Sequence, residues 1–160
     1  MTQGSQAWQR AILWTVLIVF SLWWMYFSRD HASILETPRG AWVFGYGHLP
    51  VFASIAAVGA ALAAAVDVIQ GEADAGTRPI ALALAVAVSA VALALSGLHA
   101  LSDRETVATM VPAVVLTVLC LAVSLLVSSM GMAVLLIGLL LATMVVLRVA
   151  SVARSTGGLG

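Results

Sequence analysis

Polar positions are few in this chain and fall in clusters, so the sequence divides into long apolar runs. A run of roughly 20 apolar residues crosses the hydrocarbon core as a helix, because lipid offers its backbone no hydrogen-bond partner. The first run covers Ala11 to Phe27, between Arg10 and the pair Arg29 and Asp30. The second covers Trp42 to Ile69 and contains Pro50. A proline lacks the N–H that a first helical turn leaves unused, so the pattern predicts a helix that starts near Leu49 and ends near residue 69. Further helices are predicted over about 80–101, behind Pro79, and over about 107–127 and 133–149. Only residues 128–132 separate the last two, which predicts a tight antiparallel hairpin. The expectation is an all-α integral membrane protein: a single transmembrane domain over residues 1–160, built as a bundle of five transmembrane helices.

Two segments invite other readings. Residues 80–95, IALALAVAVSAVALAL, alternate with period two, the usual signature of a strand. Here large apolar residues alternate with small ones rather than apolar with polar, and a membrane barrel strand is only about 9–11 residues long beside a polar lumen. The segment therefore reads as helix. The first run resembles a cleavable signal only in position. It is long and rich in Trp, and another span follows after one short loop, so it reads as a retained helix.

Composition agrees with the pattern. Apolar residues make up 62% of the chain and charged residues 9%, against about a quarter charged in a soluble domain. Acidic and basic residues cancel, which removes nucleic acid as an expected partner and leaves the lipid bilayer. Cys120 is the only cysteine; it excludes an internal disulfide and reads as a small packing residue. Sidedness follows from arginine. Arg29, Arg39, Arg104, Arg148 and Arg154 share one membrane face in a five-span topology, and Arg10 and Arg78 share the other. The richer face is the cytoplasmic one, which puts the C-terminus inside.

Few residues suggest chemistry. Trp23, Trp24, Tyr26 and Phe27, with Trp42, Phe44 and Tyr46, form an aromatic cluster at one membrane face, the position of an interfacial belt. On the third helix Ser89, Ala92, Ser96, His99 and Asp103 recur at steps of three and four and share one face. That face could bring His99 and Asp103 toward His48 as a metal or proton site, or it could be a small-residue packing face with polar ends. Thr109, Ala113, Thr117, Cys120, Ser124 and Ser128 make a similar stripe on the fourth helix, for packing or for a narrow polar path. Asp67 sits about one turn inside the end of the second run, on the face of Ala53, Ala56, Ala60 and Ala63 or Ala64. A carboxylate there either faces protein or snorkels to the interface. Neither a phosphate-binding glycine loop nor a nucleophile elbow occurs, and no HxxxH, ExxH or CxxC pair is present. The expectation is no enzyme, no cofactor and no metal.

One family matches two of these stretches. LWWMYF at residues 22–27 is followed by Tyr46, then His48-Leu49-Pro50-Val51, Ser54-Ile55 and Ala57-Val58-Gly59. This resembles the bacterial low temperature requirement protein A family, whose helix ends read "WWxYF" before a "Y-x-HLP…GI…A-x-G" helix. The resemblance spans residues 14–69 and thins beyond them, and Ser54 stands where the family tends to have Gly. It corresponds to the later portion of longer family members. The resemblance implies a polytopic protein of the bacterial plasma membrane without an assigned molecular activity, and singles out His48 and Pro50. The expected function is a helix-packing or interaction module, whose partners are other membrane helices: a missing N-terminal half, a second copy or another subunit. The alternative is a transporter or channel element for a small solute or protons, using Asp67, His48 and His99.

Overall fold

A computed structural model describes residues 2–28, 38–72, 76–102 and 106–157, and nearly all of them are helical. The elements are α1 (Thr2–Phe27), α2 (Pro38–Gln70), α3 (Thr77–Ser102), α4 (Thr106–Leu126) and α5 (Met130–Gly157). Four of them contain stretches long and apolar enough to cross a membrane: Gln9–Phe27, Ala41–Gln70, Thr77–Ala100 and Met130–Ser151. The apolar part of α4, Met110–Leu126, is shorter.

The alternating segment lies wholly within α3. Burial follows the helical period rather than the sequence alternation: Ala81, Leu84, Ala85, Val88, Val91, Ala92 and Leu95 face inward, while Leu82, Val86 and Leu93 face out. This makes α3 the centre of the bundle, packed against α2 on one side and α4 on the other. In lipid such packing draws on close van der Waals contact, since exclusion of water does not favour one apolar surface over another.

The predicted start of α2 is wrong. The helix begins at Pro38, and Pro50 lies inside it. The proline that suits the first turn is Pro38, whose missing N–H costs nothing there. Pro50 offers no N–H to the Tyr46 carbonyl, and the helix continues past it because in lipid the helix satisfies the backbone's other polar groups. Two side chains near the proline bond other carbonyls of the same helix. Ser54 Oγ donates to the Pro50 carbonyl at 2.6 Å and to that of Val51 at 3.0 Å, and the His48 ring bonds the Phe44 carbonyl.

At its other end α2 is closed by a glycine cap. Gly71 takes φ 75°, and the Glu72 N–H reaches the Asp67 carbonyl at 2.9 Å while the Gly71 N–H reaches Val68. This paired pattern at a left-handed residue is the Schellman arrangement, and glycine adopts it without a Cβ penalty.

The link between α4 and α5 is shorter than the sequence suggests. Met130 opens α5, leaving Val127, Ser128 and Ser129 between the helices. The carbonyl of Ser129 already accepts the Ala133 N–H at 3.0 Å. Although α4 and α5 touch, α5 packs more extensively on α1. Two glycines make that seam close. A Cβ on Gly131 would lie 2.8 Å from the Trp14 ring, and one on Gly138 would lie 3.2 Å from Leu17 and 3.3 Å from Ile18.

Candidate functional site

Of the polar side chains singled out in the sequence, His48 and His99 lie toward one end of the bundle, where α1 ends, α2 passes through its first half, and α3 and α5 finish, while Asp67 lies at the far end of α2. His48 is half-buried among aromatic rings: Phe44 at 4.3 Å, and Tyr26 and Phe52 at 5.8 Å between centroids. Its Nδ1 lies 2.6 Å from the Phe44 carbonyl. A carbonyl only accepts, so Nδ1 carries the proton, and in the neutral ring Nε2 keeps its lone pair. The neighbouring Gly47 faces α3, where a Cβ would overlap the Leu98 side chain. His48 itself turns toward α1.

His99 lies in the last turn of α3, 1% exposed. It shares the inward face with Ser89, Ala92 and Ser96, all buried, as the three-four spacing predicts. Asp103 falls outside the described residues, as does His31. The contacts of His48 are to Tyr26, Phe44 and Phe52, so they do not join it to His99. Among the described residues, no group of three His, Cys, Asp or Glu stands together as metal ligands.

A pairing that the sequence reading missed occurs at the same end. Arg148 of α5 donates through Nη2 to Ser96 Oγ of α3 at 3.4 Å. The available signal was an arginine inside the final apolar run, where a charge needs a polar neighbour. The half-buried Arg148 also lines a crevice of about 390 Å³ between α4 and α5, together with Pro112, Leu119, Leu140, Thr143 and Ser151.

Asp67 and Pro50 are exposed. Asp67 shares its side of α2 with Ala53, Ala56, Ala60 and Ala63, and all of these point away from the bundle. The acid is therefore not directed into a core shared with the histidines. A second crevice, of about 510 Å³, separates α1 from α2 and is lined by Leu22, Trp23, Tyr26, Phe52 and Gly59. The aromatic cluster is largely outward: Trp23, Trp24, Phe27, Trp42 and Tyr46 are exposed, and Trp42 stacks on Tyr46 at 5.4 Å. Two hydroxyls of α4 serve their own helix, Thr117 donating to the Ala113 carbonyl and Ser124 to that of Leu121.

The family model of the bacterial low temperature requirement A protein matches residues 3–150. No curated protein and no solved structure matches the chain. The match reaches far beyond residues 14–69, into α3, α4 and α5, where the sequence resemblance was thin. Long apolar helices and the extent of this match make the chain a multi-pass membrane protein, and it belongs to the bacterial low temperature requirement A protein family.

Proposed function

We propose that this chain works in the plasma membrane as a non-enzymatic helical module, crossing the bilayer with five helices and docking onto a further transmembrane helix. The observation that carries this reading is the outer face of α2. Only a third of its long apolar stretch is buried, and Ala53, Ala56, Ala60 and Ala63 are exposed in a row. A lipid-facing surface has no need of small residues, whereas a helix–helix seam does, because small side chains let two backbones approach. The outward Asp67 at the end of this row gives a docking helix a polar contact. The transport reading has less support, since Asp67 and His48 face different surroundings.

A photo-reactive residue at Ala56 or Ala60 is expected to give adducts at the mass of two protein chains in native membranes. The same group at Val118, exposed on α4, is expected to give lipid adducts only. Lipid adducts at all three positions would defeat the docking reading.

The C-terminus belongs in the cytoplasm on this proposal, from the five arginines on its side against two on the other. A fluorescent protein that matures only in the cytoplasm, fused after residue 160, is expected to shine. An alkaline phosphatase fused there that proved active would reverse the sidedness.

A further inference from the structure

We infer that the crevice between α1 and α2 is a binding site for a neutral, ring-headed lipid, a prenylated quinone. Its ring lies among the aromatic side chains and its tail along the apolar floor. The lining is the first reason. Small-molecule sites of about 300–1,000 Å³ are walled by apolar and aromatic side chains with a few placed polar groups, and this crevice has about 510 Å³. It exists because α1 packs mainly on α5 and touches α2 sparsely. Trp23, Tyr26, Phe27 and Phe52 bring four rings to one end of it, where the apolar stretch of α1 finishes at Phe27. Aromatic pairs gain from centroid separations of about 4.5–7 Å, so a flat ring finds partners there that a saturated chain does not. From Phe52 to Leu62 the floor rises about 15 Å at about 1.5 Å per residue. That is roughly half of the roughly 30 Å hydrocarbon core, the depth of one leaflet.

The polar groups are the second reason. Tyr26, in the last turn of α1, brings a phenol to the crevice, and its hydroxyl has no hydrogen-bond partner among the described residues. His48 stands one turn before Phe52 and continues the face of Phe52, Ile55, Gly59 and Leu62 at steps of four, three, four and three. Its ring centroid lies 5.8 Å from those of both Tyr26 and Phe52, so it closes the aromatic end. With Nδ1 held by the Phe44 carbonyl, Nε2 is left as an acceptor. One donor and one acceptor at the end of an apolar crevice suit a ring that carries oxygen. A quinone carbonyl accepts from Tyr26, and in the quinol form a hydroxyl has Nε2 to donate to. Charge is the third reason. The residues that line the crevice are uncharged, so a phospholipid phosphate meets no cation there and a neutral head is favoured. The site lies between α1 and α2 and does not depend on the alanine row on the outer face of α2.

Binding is read on the purified full chain in detergent by native mass spectrometry, titrating menaquinone-4 against phytane, a branched hydrocarbon with neither ring nor oxygen. The expected result is one menaquinone-4 per chain, with phytane at least tenfold weaker. Tyr26→Phe keeps the ring and removes the donor. It is expected to weaken menaquinone-4 by about three- to tenfold, as for one lost hydrogen bond. Gly59→Phe fills the floor instead. A Cβ at Gly59 meets nothing within 4 Å, so the chain is expected to keep its fold while the bound quinone falls at least tenfold. Equal binding of menaquinone-4 and phytane would overturn the proposal, because the crevice would then read only a branched chain. Undiminished menaquinone-4 binding in Gly59→Phe would overturn the location, and unchanged affinity in Tyr26→Phe would overturn the recognition of the ring oxygen.

Discussion

Gly138→Leu is expected to destabilise the protein by about 3 kcal/mol, at the upper end for overpacking of a well-filled interior. The glycine is buried in α5 where α1 crosses, and a single Cβ there already stands 3.2 Å from Leu17 and 3.3 Å from Ile18. Ile18 is fully buried, in an interior packed with few voids. A leucine must therefore push the two helices apart, losing the close contact that holds them in lipid. Gly45→Leu is the matched control, because a Cβ at Gly45 meets nothing within 4 Å. Unfolding in graded sodium dodecyl sulfate, followed by helix signal, measures both. Similar midpoints for the two variants would mean that the α1/α5 seam is not closely packed.

The second large effect is expected at the centre of the bundle. Leu95→Ala should cost about 2 kcal/mol, and Leu93→Ala should cost close to nothing. Both leucines lie on α3, but Leu95 is 2% exposed and Leu93 is 38% exposed. The estimate is low for a buried leucine because the unfolded reference is also in lipid, where little water transfer is recovered. What remains is the cavity and its lost dispersion contacts. The same unfolding assay reads the difference, and equal costs would contradict the assignment of α3 as the central helix.

The helices were legible in the sequence because a membrane imposes one solution on the backbone, and the apolar runs mark where it applies. Even the alternating segment of α3 resolved correctly once large and small residues were told apart from apolar and polar ones. The beginning of α2 was not legible. A proline was read by its habit in soluble helices, whereas Pro50 lies inside a continuous helix. Which face of α2 turns inward was equally hidden, because apart from Asp67 near its end both faces are apolar and differ mainly in residue size. The seam between Arg148 and Ser96 joins positions 52 apart, and no local pattern encodes a partner at that distance. His99 and Ser96 were found because the inward face of α3 follows the helical step. His48 was found, but not its aromatic surroundings, which come partly from α1.

The pairing of α1 with α5 sets an order of events during biosynthesis. When α1 has entered the bilayer, its main partner has not been made, since residues 28–129 must be translated before α5 begins. At about 5–20 residues per second that interval is roughly 5–20 s. Throughout it α1 has only its sparse contact with α2, and the ribosome is still attached. The Trp14 ring and the Ile18 side chain are meanwhile free to meet lipid or a chaperone of insertion. A chain truncated before Met130 would leave α1 in that state permanently, and the quality-control proteases of the membrane would have an unpaired helix to find.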